Sequence, residues 1–152
     1  MEVFWWIGFN ILLLVVTFLL VPMERFKQLF VYGLIGGSGL AIPIFFIANY
    51  FELWETVGGI DLWMDVPLLP TTAWFFPVVI FGHFFPKSDS FLAKLGYIAF
   101  YALGAIVVQY TVARMGLWIN KNWNLFYTFL LALTTHSILT LYIMYTEQYL
   151  PE

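Results

Sequence analysis

Residues Glu52–Pro86, ELWETVGGIDLWMDVPLLPTTAWFFPVVIFGHFFP, join the chain's acidic cluster to a short apolar run punctuated by prolines. The run itself, Thr71–Phe85 with Pro77 in its middle, has about 15 residues, against the ~20 that a helix needs to cross a bilayer. Either it starts earlier, near Leu62, or it is a short or re-entrant element shielded from lipid by other helices. Upstream of it, Gly58-Gly59 stops any helix arriving from the N-terminal side, and Pro67 with Pro70 sets the angle at which the run begins. The number of membrane passages depends on how this stretch is read.

Working outward, the flanking segments read as plain membrane helix. Phe26–Phe51 contains Gly33, Gly36, Gly37, Ser38, Gly39 and Ala41 and then Pro43. Gly33 and Gly37 form a GxxxG, which lets another backbone approach closely. That face serves either packing within the monomer, with this segment as the central helix, or a homodimer. The Gly and Pro content also predicts a bend. Val3–Val21 ends at Pro22, starts beside Glu2 and lacks the basic region and small-residue site of a cleavable signal, so it reads as a retained helix. Trp5 and Trp6 suit an interfacial belt.

Downstream, Lys87-Ser88-Asp89-Ser90 reads as a turn with a helix start. It leads into Leu95–Ala113, which carries Tyr97, Tyr101, Gly104, Gln109 and Tyr110. The last segment, Trp123–Thr146, holds Thr128, Thr134, Thr135, His136, Ser137 and Thr140, whose hydroxyls suit helix–helix or back-to-carbonyl bonding. The expectation is one integral membrane domain over residues 1–152, an all-α polytopic bundle of about five transmembrane helices, the third short and Pro-kinked.

Composition agrees with this class. The chain is 62% hydrophobic and 22% aromatic with only 10% charged residues, and its mean hydropathy is +0.89, whereas soluble domains carry about 25% charged residues. With no cysteine there is no disulfide framework, thiolate metal site or thiol nucleophile. Six scattered Lys and Arg and a net charge of −3 give no footprint for nucleic acid. With five crossings and the N-terminus outside, the inner loops hold Arg25, Lys27, Lys87 and Lys94 and the outer ones Arg114 and Lys121. That bias sets the N-terminus outside, the C-terminus in the cytoplasm and the acidic loop outside the cell membrane.

The candidate polar site consists of Glu52, Glu55, Asp61, Asp65, Gln109, His83 and His136, with Asn10 and Asn49 nearby. Carboxylate pairs can act as acid and base or bind a hard cation, but four acids in an outer loop are ordinarily solvated and no ordered DxDxDG loop is present. At ~1.5 Å per residue His83 and His136 each lie about 20 Å from the outer end of their segments. Two histidines at one level are fewer ligands than zinc takes, and each also fits a structural role: His83 at the inner interface beside Lys87, and His136 as a hydrogen-bonded helix residue. No catalytic set, metal site or cofactor is expected; no nucleophile constellation, P-loop, dinucleotide fingerprint or HExxH occurs.

Pro67-Leu-Leu-Pro70, Trp74-Phe75-Phe76-Pro77, Met23-Glu24-Arg25-Phe26-Lys27 and Asn122-Trp123 together resemble the small five-helix membrane proteins of spore-forming Gram-positive bacteria. That resemblance implies location and architecture, not chemistry. Pro67-Leu68 before Trp74-Phe75-Phe76 is also similar to small membrane carotenoid cyclases. In those the proline-leucine step is followed by paired glutamates, where this chain has Leu69-Pro70 or Thr71-Thr72. Two functions are therefore expected: a non-enzymatic subunit, scaffold or assembly factor acting through helix packing and the acidic outer loop, or a lipid- or isoprenoid-handling enzyme or small dimeric transporter using the acidic outer cluster with His136 or His83. The partners expected are the bilayer and a membrane protein or second copy through the Gly33/Gly37 face.

Overall fold

The computed structural model describes residues 1–61, 65–88 and 90–147. It is an all-α membrane bundle, as composition and hydropathy predict. Helices α1 (Glu2–Leu20), α2 (Met23–Gly33), α3 (Leu40–Tyr50), α4 (Leu68–Ala73), α5 (Phe75–His83), α6 (Phe91–Arg114) and α7 (Leu125–Glu147) are joined by a π-helical turn, Leu34–Gly39, between α2 and α3. Four stretches are long and apolar enough to cross a membrane: Glu2–Leu20, Met23–Tyr50, Phe91–Arg114 and Leu125–Thr146. The fifth, Leu68–His83, is shorter, about 24 Å at ~1.5 Å per residue against a ~30 Å hydrocarbon core. It begins after Pro67, while Leu62, the earlier start the sequence offers, lies outside the described residues, as does Asp89 in the turn before α6.

Chain punctuation accounts for the helix ends. Pro22 caps α2, Ser90 Oγ accepts from the Ala93 amide at the start of α6, and Asn124 Oδ1 accepts from the Tyr127 amide at the start of α7. Each side-chain cap satisfies an amide that the first turn leaves without an intrahelical partner. Pro43 lies inside α3 and has no N–H to bond the carbonyl one turn back. The π turn ends four residues earlier at Gly39, so the predicted bend is a widened turn in a glycine run. Likewise Pro77 sits one turn after the α4–α5 break at Trp74.

The glycine-rich segment packs within the bundle, with α4–α5 against Gly33 and Gly37 and α7 against Gly36 and Tyr32. Helix α5 packs on α1, α2 and the π turn, and Val79 and Phe81 are fully buried. With both its faces against protein, a helix shorter than the hydrocarbon core exposes little backbone to lipid. Gly33 and Gly37 make this possible. A Cβ on Gly33 would lie 2.5 Å from Val79 Cγ2, and one on Gly37 would lie 2.7 Å from both Phe75 Cα and the Trp74 carbonyl oxygen. The GxxxG face is thus filled by this chain's own third segment and is not open to a second copy.

The end of the bundle that holds Val21 and Phe85 is built around a buried apolar cluster. Val21, Leu29, Tyr32, Val79, Phe81, Phe85 and Ile143 form one buried cluster there, and Tyr32 donates to the Leu139 carbonyl across the bundle at 3.1 Å. Large apolar side chains such as Phe4, Leu19, Phe100, Val107 and Leu141 are exposed around the outside, as expected of a surface solvated by lipid.

Candidate functional site

The opposite end is closed by a small cap that helix prediction does not anticipate. Strand β1 (Trp54–Thr56), from the loop after α3, pairs antiparallel with β2 (Trp118–Asn120), from the loop after α6, with Trp54 opposite Asn120 and Thr56 opposite Trp118. Two three-residue strands are too short to hold alone, and aromatic rings supply the rest. Trp54 stacks on Trp118 at 5.2 Å and meets Trp123 edge-on at 4.7 Å, while Phe45 of α3 lies beneath Trp54 and Trp118 at 6.4 and 6.1 Å. Backbone bonds complete it: the Lys121 and Asn122 amides both donate to the Leu53 carbonyl at 3.0 Å, and Val57 N–H donates to the Leu117 carbonyl at 3.0 Å.

Helix α1 is locked to the cap and to α4 by its polar residues. Trp6 Nε1 donates to the Val57 carbonyl at 2.8 Å. Asn10 Nδ2 donates to the Leu69 carbonyl at 3.0 Å, and Asn10 Oδ1 accepts from Thr72 at 3.1 Å. Asn10, grouped with the acidic residues from the sequence, is therefore spent on joining two helices.

Below the cap the bundle is hollow. A cavity of about 430 Å³ lies between α1, α4–α5, α6 and α7, within the ~300–1,000 Å³ typical of small-molecule sites. Trp54, Trp118 and Trp123 border it at the cap end, Trp6 and Phe9 at α1, and Trp74 and Pro77 along the third segment. Gly104 and Ala105 of α6 leave room where larger side chains would close the gap; a Cβ on Gly104 meets nothing within 4 Å.

Polar groups enter this cavity at two levels. Near the cap, Gln109 is only 6% exposed; its Nε2 donates to Asn120 Oδ1 at 2.9 Å and its Oε1 accepts from Thr128. Trp123 Nε1 donates to Thr128 Oγ1 at 2.8 Å and Trp118 Nε1 to Asn120 Oδ1 at 3.1 Å. This closed network satisfies buried polar atoms and ties α6 to α7 and β2. Deeper, His136 lines the cavity with its ring 5.2 Å from Phe81 and 5.7 Å from Tyr101. Its Nδ1 is 2.7 Å from the Ala132 carbonyl oxygen. A carbonyl only accepts, so Nδ1 carries the proton, and in the neutral ring Nε2 is a lone-pair acceptor.

The remaining candidates lie elsewhere. Glu52, Glu55, Asp61 and Asp65 are exposed on the cap, and none of them lines the cavity. Glu55 pairs with Lys121 across the strands at 3.1 Å. Asn49 Nδ2 donates to the Asp65 carbonyl at 2.6 Å. Glu52, Ile60 and Asp65 adopt left-handed backbone, φ 49°, 57° and 57°, a region non-glycine residues visit rarely. His83 ends α5, its ring against Phe84 at 4.6 Å and its buried Nδ1 without a hydrogen bond. The two histidines keep separate ring neighbours. Among the described residues no group of three or more His, Asp or Glu is placed to hold a metal ion.

The sequence places His136 within the membrane and Gln109 near the outer surface with the acidic residues, and both border the cavity. It missed the tryptophan cap and the cavity itself. The available signal was that Trp54, Trp118 and Trp123 all sit at loop–helix junctions, in two loops that five passages bring to the same end. Comparison with known proteins supplies no relative: no family model, no curated protein and no solved structure matches the chain.

Proposed function

We propose that this protein is a small cell-membrane protein that holds one lipid-like apolar molecule inside its helix bundle. The observation that carries the reading is the aromatic cavity of about 430 Å³ beneath the tryptophan cap. Its lining is apolar apart from a few convergent polar groups, which is the composition of a binding site for small molecules. Among the described residues no carboxylate lines it, so the reading is of a binding or carrier protein and not of a polyene-protonating enzyme of the cyclase kind.

Orientation follows from charge. Arg25, Lys27, Lys87 and Lys94 lie at or near the end away from the cap, against Arg114 and Lys121 near it. The positive-inside bias favours a cap facing outward, with the N-terminus. A second reading, a subunit or assembly factor that docks through the cap, is favoured by Glu52, Asp61 and Asp65 all being exposed there.

Purification in mild detergent, followed by solvent extraction and mass spectrometry, tests the first reading. The wild-type protein is expected to retain a stoichiometric apolar molecule. Ala105→Phe, which places a ring in the cavity, is expected to lose it while eluting as the same monodisperse species. Identical extracts from the two proteins would overturn the proposal.

A further inference from the structure

The inference concerns the chemical class of the cavity's occupant and rests on the binding reading above. At ~1.5 Å per residue His136 lies about 17 Å past Leu125, near the middle of a ~30 Å hydrocarbon layer. With Nδ1 committed to the Ala132 carbonyl, its Nε2 has no hydrogen-bond partner among the described residues. The ring borders the cavity. An unengaged acceptor in an apolar chamber is matched by a donor on the occupant.

Depth and walls restrict that donor further. A charged headgroup is costly at mid-membrane, so the occupant is neutral. Two-chain amphiphiles keep their headgroups at the interface, whereas a slender molecule with a single hydroxyl can carry it to the bilayer centre. Trp74 and Tyr101 line the chamber and offer ring faces and edges to a flat or conjugated body.

We propose that the cavity takes a neutral isoprenoid-type lipid bearing a hydroxyl, which donates its hydrogen bond to His136 Nε2. A prenylated hydroquinone and a linear prenol share this chemistry. A quinone, having carbonyl acceptors only, does not.

Equilibrium binding to the purified protein in nanodiscs, measured by microscale thermophoresis, tests this. The probes are a prenyl hydroquinone kept reduced, its dimethyl ether, the parent quinone, geranylgeraniol and its methyl ether. The hydroxyl probes are expected to bind roughly three- to tenfold tighter than their ethers, the range of one net hydrogen bond. The quinone is expected to bind like the ethers. Whichever hydroxyl probe binds more tightly identifies the source.

His136→Phe keeps the ring and is expected to abolish the hydroxyl preference while ethers still bind; His136→Gln, which keeps an acceptor, is expected to retain part of it. Equal binding of alcohols and ethers to wild-type protein overturns the proposal and leaves the cavity reading standing, and that comparison needs no variant to fold. A preference that survives in His136→Phe overturns the role of His136. Failure of every probe to bind the wild type overturns both readings.

Discussion

The two ends of the bundle use the same helices in opposite ways. At the end away from the cap, glycine and small side chains let backbones touch, and Tyr32, Phe81, Leu139 and Ile143 fill what space remains. At the cap end, Trp6, Trp54, Trp74, Trp118 and Trp123 line a chamber of about 430 Å³ between α1, α4–α5, α6 and α7. The lesson is that helix packing in a bilayer is set by side-chain size along each face. One bundle can therefore be filled at one depth and hollow at another.

The cap is where this contrast breaks with the largest effect. Trp54→Ala removes the ring shared by Trp118, Trp123 and Phe45. The expected loss is about 3 kcal/mol, the low end for burying and then truncating an aromatic side chain, read as a lower Tm in detergent. The ligand would be lost along with it, because the cavity's roof is gone.

Next comes the close approach between the two ends. Gly37→Ala drives a methyl group against Phe75 Cα and the Trp74 carbonyl, both at 2.7 Å and both backbone. Neither can rotate away, so a cost of ~1–3 kcal/mol is expected, with α3 pushed off α4–α5. A Tm unchanged from wild type would mean that this contact is looser than the geometry indicates. The smallest effect belongs to the surface: Glu55→Gln breaks the pair with Lys121, both about half exposed at 53% and 44%. Less than about 1 kcal/mol should be lost, and ligand retention should not change. Were it to change, the cap's acids would have a part in loading that their distance from the cavity does not predict.

What was legible in the sequence follows the range of the interactions involved. Helix positions are local: hydropathy runs, Pro22, Ser90 and the glycines before Pro43 mark them, and the ends observed lie close to those marks. The GxxxG of Gly33 and Gly37 is also local, though its partner is not. That the partner is Phe75 and Val79 depends on how the short third segment inserts. Trp54 pairing with Asn120 is a contact between residues far apart in sequence, and nothing in a three-residue strand announces it. The cavity is less legible still, because it depends on Gly104 and Ala105 facing Trp74 and His136 across the bundle. Acidic residues attract attention in an apolar sequence for being rare; here that rarity reflects an exposed cap.

The antiparallel pairing of β1 with β2 also sets an order of events during synthesis. Trp54–Thr56 enters the membrane system well before Trp118–Asn120, so α1 to α5 must wait for α6 to be made before their roof can close. Until then the future chamber is an open trough facing the lipid. Strand pairing, and with it the stacking of Trp54 on Trp118, therefore comes only after the first five helices have been made.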